Sequence, residues 1–289
     1  NQMKPEYFEP HLKRLDTLKA KFKQSRNDND QSGNRTVRPL HEMCVGLDYF
    51  GHELYYPHCS FALDAFTNFL FKERKLRNDY FGFHIHVGEL LHLQVHLQGM
   101  SDKLMIHIGV VSAAILRILN KYESLHTFPS QSVPTDCPPP LRIGPGTGFL
   151  QFLQRQNNLD DVPPLTANQS ASVKFRLSLL HALKRIRDLR IPVEVCPSAF
   201  QYLELGTTTP NPVYTFLKEG FCVVVCSDSA HVCPMIVRQQ RSVAAELVRA
   251  VHETNPPLED DDANRLLGNY KHAAFGQRHD VVGPVCGIR

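Results

Sequence analysis

The stretch ASVKFRLSLLHALKRIRDLRIPVEVCP, residues 171–197, decides the fold of this chain. Its first part, Ala171 to Arg190, has apolar residues at helical spacing with basic residues between them, which predicts an amphipathic helix. Ile191 to Pro197 follows directly as a short apolar run, which predicts a buried strand. Because helices that alternate with buried strands are typical of α/β proteins, the stretch favours that class.

The same alternation extends to both sides of this stretch. Further strands are predicted at Val45 to Gly51, Phe81 to Glu89, Leu141 to Gly144 and Phe221 to Asp228. Further helices are predicted at Phe61 to Arg77, Asp102 to Tyr122, Asn211 to Gly220, Met235 to Glu253 and Asp260 to Phe275. The strands read as near-continuously apolar, which indicates a parallel sheet covered by helices. About five strands are visible, fewer than the eight of a (β/α)8 barrel, so either strands lie upstream of Asn1 or the barrel is incomplete.

The chain divides into two predicted parts, residues 1–40 and residues 41–289. In the first part, Glu6 to Lys23 predicts an amphipathic packing helix, and the polar segment Ser25 to Thr36 predicts an exposed or disordered linker. The second part holds the α/β elements and the C-terminal helices. Lys and Arg are dense from His11 to Arg38, so this segment permits RNA contact, although basic arms of this kind are usually solvated surface.

Composition limits the classes of protein that the chain can belong to. Its 289 residues are 42% hydrophobic, enough for a sizeable core, and its formal charge of +3 provides no strong field for nucleic acid. No apolar run reaches the roughly 18 residues that a membrane helix needs, so membrane insertion is not expected. The eight cysteines are scattered, which favours an intracellular reducing compartment such as the cytoplasm or an organelle matrix. Cys222, Cys226 and Cys233 lack a second ligand pair, so a zinc knuckle is not expected.

Polar residues collect where the predicted strands end, at His86, Glu89, Cys196 and Asp228. Because parallel sheets and barrels build their sites at the carboxyl edge of the strands, we expect the functional site at this edge. Four short strings lie there in a fixed order, HVGE (His86 to Glu89), IGPGTGF (Ile143 to Phe149), EVCPSA (Glu194 to Ala199) and CSDS (Cys226 to Ser229).

Together these strings resemble the adenosine/AMP deaminase family, whose order is HAGE, GHG, a CP-containing strand end and a strand ending in S/T-D-D. Val45 to Glu53 resembles the strand that precedes them, and Asp261 to Phe275 resembles the closing helix of the family. The resemblance implies a (β/α)8 barrel that releases ammonia from C6 of a purine by means of a zinc-bound hydroxide. It also implies that His86 and Asp228 are metal ligands and that Glu89 protonates the purine ring.

The chain departs from the family pattern at two catalytic positions. Pro145 replaces the general-base histidine of GHG, and Ser229 replaces the second aspartate, which orients the water. Loss of a general base typically costs two to four orders of magnitude in rate, so catalysis by the family mechanism should be severely impaired. The H-x-H ligand pair of the first family strand has no counterpart before residue 45. No cofactor is therefore expected for the chain as given, and zinc is expected only if that pair lies upstream.

A different HxH pair, His84 and His86, lies within one predicted strand. We expect only one of the two, His86, to point into a closed barrel, and we do not expect His84 to be a ligand. His92, His96 and His107 are expected to be helix-face or hydrogen-bonded residues, not ligands.

These observations favour a pseudoenzyme, a deaminase-like barrel kept as a scaffold or interaction subunit that contacts other protein subunits. The alternative is an active or divergent zinc-dependent aminohydrolase of adenosine, AMP or another purine. A weaker alternative is purine nucleoside binding without turnover, in which Glu89 still contacts the ring.

Overall fold

A computed structural model describes residues 9–31, 46–49, 60–76, 82–86, 112–113, 115–121, 141–144, 159–197, 212–226, 243–252 and 257–273 of the protein. Within these ranges, strands alternate with helices along the chain. Each described strand is preceded along the chain by a helix or, in one case, by the helical residues 115–121.

The strands form one five-stranded sheet in which every neighbouring pair is parallel. They are β1 (Gly46–Tyr49), β2 (Gly82–His86), β3 (Leu141–Gly144), β4 (Val193–Val195) and β5 (Val223–Val225). The strands lie in chain order, so each pairs with the next one along the sequence. The α/β class and the parallel sheet are therefore confirmed, while closure into a barrel stays a prediction.

The helices agree with the predicted segments apart from shifts at their ends. They are α1 (Glu9–Gln31), α2 (Ser60–Leu76), α3 (Ala171–Asp188), α4 (Pro212–Lys218), α5 (Val243–His252) and α6 (Asp260–Ala273), with a short 3₁₀ turn at Leu159–Asp161. Residues 112–113 and 115–121 are also helical. Residues 102–111 and 235–242, which were predicted to be helical, lie outside the described residues. Among the described helices, none is long and apolar enough to cross a membrane.

The predicted linker is wrong in its first part, because α1 continues beyond Lys23 to Gln31. Asn, Asp and Gln are weaker helix formers than Ala but do not break a helix, and the first glycine of the segment, Gly33, comes after the helix end. The helix packs on α2, where the rings of Phe22 and Phe69 have centroids 5.9 Å apart. Residues 32–36 lie outside the described residues.

The two faces of the sheet differ in chemistry. Successive side chains of a strand point to opposite faces, so residues two apart share a face. One face is buried and apolar and belongs to the hydrophobic core with the helices; it carries Phe83, Ile85, Leu141, Ile143, Val193, Val195, Val223 and Val225. The other face carries polar groups along β1 to β4. The prediction of near-continuously apolar strands is therefore wrong for these strands, because only one of their faces packs in the apolar core.

Two helix–strand connections share the same backbone conformation, which sets where β4 and β5 begin. After α3, Arg190 adopts a left-handed conformation (φ 53), and the N–H of Ile191 donates back to a carbonyl in the last turn of the helix at 2.9 Å. After α4, Gly220 takes the equivalent place (φ 85), and Phe221 donates back to its helix at 2.9 Å. Because these reversals are tight, each helix leads directly into a buried strand, as the amphipathic helix and apolar run at residues 171–197 predict.

Helix α6 covers the outer edge of β5. The Cys222 carbonyl accepts from the Val193 N–H, and the Cys226 N–H donates to the Val195 carbonyl, so these two residues bond to β4. Because successive residues of a strand bond to opposite sides, the carbonyls of Val223 and Val225 point away from β4. The side-chain amide of buried Asn269 donates to the Val223 carbonyl at 2.9 Å, and the Tyr270 hydroxyl donates to the Val225 carbonyl. The last helix therefore satisfies two backbone acceptors on the side of β5 that faces away from β4.

We expect Asn269→Ala to destabilise the protein by about 1–3 kcal/mol, because the buried Val223 carbonyl loses its donor. Urea unfolding followed by circular dichroism measures the change. Asn264→Ala is the matched control in the same helix, since Asn264 is exposed, and its effect should stay within about 0.5 kcal/mol. Equal effects of the two substitutions would show that the bond from Asn269 does not hold α6 on the sheet.

Candidate metal centre

The polar face of the sheet brings together side chains from four neighbouring strands. Asp48 of β1 is in register with His84 of β2, and His84 is in register with Arg142 of β3. His86 shares the face of His84 because the two are two residues apart in one strand. Glu194 of β4 completes the group through its contacts with His84 and Arg142. Within the group, His86 lies at the carboxyl end of β2, where the sequence predicts the functional site, and the other residues lie within their strands.

His84 lies between two carboxylates. Its Nδ1 is 3.0 Å from Oδ1 of Asp48. Its Nε2 is buried and lies 3.3 Å from Oε2 of Glu194, an ion-pair contact and not a well-aligned hydrogen bond. The imidazole therefore has one carboxylate at each ring nitrogen.

His86 points to the same side as His84, which corrects the expectation that only one of the pair faces inward. Its Nε2 is 3.5 Å from Oδ1 of Asp48, and the two imidazole rings have centroids 4.8 Å apart. The expectation was wrong because it treated residues two apart as facing opposite sides, whereas only adjacent residues do so. His84 therefore belongs to the site with His86.

Glu194 is the buried anion of the group and is held by cations from two other strands. Its Oε1 accepts from Arg142 Nη1 at 2.8 Å, and its Oε2 faces His84. The Arg142 guanidinium also donates to the carbonyl of Ala273, the last residue of α6. Arg142 therefore connects the end of α6 to the Glu194 carboxylate.

Charge within the group shifts the ionisation of both His84 and Glu194. Burial alone would lower the pKa of His84, but the Asp48 and Glu194 carboxylates outweigh it and raise this pKa to about 9. Burial alone would raise the pKa of Glu194, but His84 and Arg142 outweigh it and hold that pKa below its ordinary value. With no metal bound, His84 and Arg142 thus balance the charges of Asp48 and Glu194.

Gly144 leaves the room in which His84 and Glu194 approach each other. A Cβ atom at this position would lie 2.6 Å from His84 Nε2 and 3.0 Å from both Cβ and Oε2 of Glu194. Distances this short are not tolerated without displacement of the neighbours. A glycine at the end of β3 is therefore required by the packing of the site.

Asp48, His84 and His86 are the residues that could hold a metal ion in the described part of the chain. Each offers one ligand atom, and these atoms lie within 4.8 Å of one another. Two imidazoles and a carboxylate suit a divalent transition metal, because the nitrogen ligands are too soft for Mg²⁺ or Ca²⁺. The side chain of Asp48 is 50% exposed, so solvent reaches the group.

The structure locates only part of the predicted site. His86 lies in the group, as the sequence predicts for a ligand. Glu89, Pro145, Asp228 and Ser229 lie outside the described residues, as do His92, His96, His107 and Cys233. Asp48, Arg142 and Glu194 received no predicted role, although Asp48 and Glu194 lie in strings that the family resemblance singled out.

The described cysteines are free thiols, and two of them are not poised as nucleophiles. Cys196, Cys222 and Cys226 are free thiols. Burial raises the pKa of Cys222 to about 11 and that of Cys226 to about 12, so both thiols stay protonated near neutral pH. Cys226 has its pKa raised further by Glu194 nearby. The chemistry at this edge is therefore that of the imidazoles and carboxylates.

Comparisons of the chain with protein-family models, with curated proteins and with solved structures found no match.

We expect Gly144→Ala to destabilise the protein by about 1–3 kcal/mol, because the added methyl group overpacks the contact between His84 and Glu194. Urea unfolding of the two proteins measures the difference. Gly268→Ala is the control: a Cβ there meets no atom within 4 Å, so within α6 this substitution should stabilise by up to about 1 kcal/mol. Unchanged stability of Gly144→Ala would contradict the packing described here.

Proposed function

We propose that this chain is a degenerate barrel of the adenosine/AMP deaminase type that does not deaminate purines and serves as a scaffold or interaction subunit for other proteins. The order of the strands supports the barrel, since five parallel strands in chain order are the arrangement in which successive βα units of such a barrel follow one another. Completion of the barrel requires strands from outside the described residues.

One observation carries the functional part of the proposal: the buried carboxylate of Glu194 is paired with cationic side chains of the chain itself. Glu194 is bound by Arg142 at 2.8 Å and faces His84 at 3.3 Å, and Arg142 in turn holds the end of α6. His84 and Arg142 hold the pKa of this carboxyl below its ordinary value, which favours the ionised form and disfavours a role as general acid. The group is therefore built to hold the strands and the closing helix together.

The sequence supports the same conclusion at two further positions. Pro145 has no titratable group where the resembled family has its general base, and Ser229 cannot replace the carboxylate that orients the attacking water. Residues of a catalytic unit depend on one another, so loss of the general base alone should make turnover low even if a metal is bound.

A divergent zinc-dependent purine aminohydrolase is the second candidate, and the cluster of Asp48, His84 and His86 favours it. Three protein ligands at a site that solvent reaches are the arrangement of catalytic zinc sites, which keep one position for water. This candidate differs from the first in one measurable property, the release of ammonia.

We expect the purified chain, supplied with one equivalent of Zn²⁺, to release no ammonia from adenosine or AMP above the buffer blank. A coupled assay for ammonia with millimolar substrate and long incubation measures this, and an active adenosine deaminase serves as the positive control. Asp48→Asn is the matched variant of this chain. Ammonia release by the wild type that disappears in Asp48→Asn would overturn the scaffold proposal and establish the second candidate.

A further inference from the structure

The spacing of the ligand atoms around Asp48 matches that of a metal coordination shell. In a tetrahedral site with bonds of 2.0–2.1 Å, neighbouring ligand atoms lie about 3.3 Å apart. Oδ1 of Asp48 lies 3.0 Å from His84 Nδ1 and 3.5 Å from His86 Nε2. The two distances from Asp48 are therefore within a few tenths of an ångström of those in a tetrahedral shell, and all three ligand atoms lie within 4.8 Å of one another.

We propose that Asp48, His84 and His86 form a site for a zinc-class divalent ion, with His84 binding through Nδ1, His86 through Nε2 and Asp48 through its carboxylate. Only His86 is shared with the ligands that the family resemblance implies. The inference goes beyond the proposed function, since the ion binds whether or not the protein turns over a purine.

The contacts of His84 are the strongest support for this assignment. A histidine that binds a metal through one ring nitrogen usually gives the other N–H to a carboxylate, which fixes the orientation of the ring. Nε2 of His84 faces Oε2 of Glu194 at 3.3 Å, on the side of the ring opposite Asp48. Glu194 thus holds His84 so that Nδ1 is presented to Asp48 and His86.

Glu194 is itself fixed by groups that bind no metal. Arg142 donates to its second oxygen at 2.8 Å, and the absence of a side chain at Gly144 leaves space for Glu194 beside the imidazole. The ring of His84 is therefore oriented by a chain of contacts that crosses β3 and β4. We assign Glu194 and Arg142 as positioning residues of the site.

The site is open on its outer side. Half of the Asp48 side-chain surface is exposed, and that of His86 is 26% exposed. Three protein ligands leave a fourth position of a tetrahedral ion for water or for a small ligand. A closed structural site would supply a fourth protein ligand, and the residues described here supply three.

The test is a zinc titration of the full chain after removal of metal with a chelator, in competition with a chromogenic zinc indicator. We expect one equivalent of Zn²⁺ to bind and excess Mg²⁺ not to displace it. Asp48→Asn should abolish this binding; because the Asp48 side chain is half-exposed, the variant should remain folded, and circular dichroism checks this.

A second variant separates a positioning role from a structural one. Glu194→Gln keeps an acceptor for Arg142 but weakens the hold on His84, so we expect zinc affinity to fall roughly 10- to 100-fold at unchanged stoichiometry. Asp161→Asn and Glu259→Gln change exposed carboxylates elsewhere and should leave the affinity unchanged.

Cobalt substitution identifies the ligands independently of affinity. Co²⁺ at this site should give the visible absorption of a four-coordinate ion without the near-ultraviolet band of a thiolate ligand, and Asp48→Asn should remove the visible bands. The chain has 15 histidines, so binding that persists in Asp48→Asn would place the ion elsewhere and overturn the proposal. A thiolate band, or no zinc bound in competition with the indicator, would overturn it equally.

Discussion

The burial of the Glu194 carboxylate is the constraint on which the polar face of this protein depends. A buried carboxylate is costly unless cations and hydrogen bonds compensate it. Arg142 from β3 and His84 from β2 provide that compensation. Since these partners come from neighbouring strands, the ion pairs also fix the relative positions of β2, β3 and β4. The orientation of His84, and through it the proposed metal site, follows from this arrangement.

The same constraint connects the site to the closing helix. Arg142 contacts the Ala273 carbonyl at the end of α6, while Asn269 of that helix donates to the outer edge of β5. Helix α6 is thus attached both at the site and along the side of β5 that faces away from β4. A role as a scaffold and a role in binding metal are compatible, because both require that this edge be rigid.

The sequence predicts the elements well and the site only in part, and the reasons are physical. Amphipathic helices that lead into apolar runs, as at residues 171–197, are local patterns, so the strands and their parallel sheet could be predicted. The grouping of Asp48, Arg142 and Glu194 around His84 could not be predicted, because strand register, which connects distant parts of the chain, brings them together. That His84 and His86 lie on the same face of the sheet could have been predicted from the sequence, since this follows from the two-residue period of a strand.

Anomalous X-ray diffraction at the zinc absorption edge, from crystals of the zinc-loaded protein, tests the central claim most directly. The claim is that Glu194 presents His84 to a metal held with Asp48 and His86. It predicts one anomalous peak within about 2.3 Å of His84 Nδ1, His86 Nε2 and an Asp48 oxygen. A peak at cysteine thiolates, or a zinc ion bound through His84 Nε2 with Glu194 displaced from the ring, would contradict it.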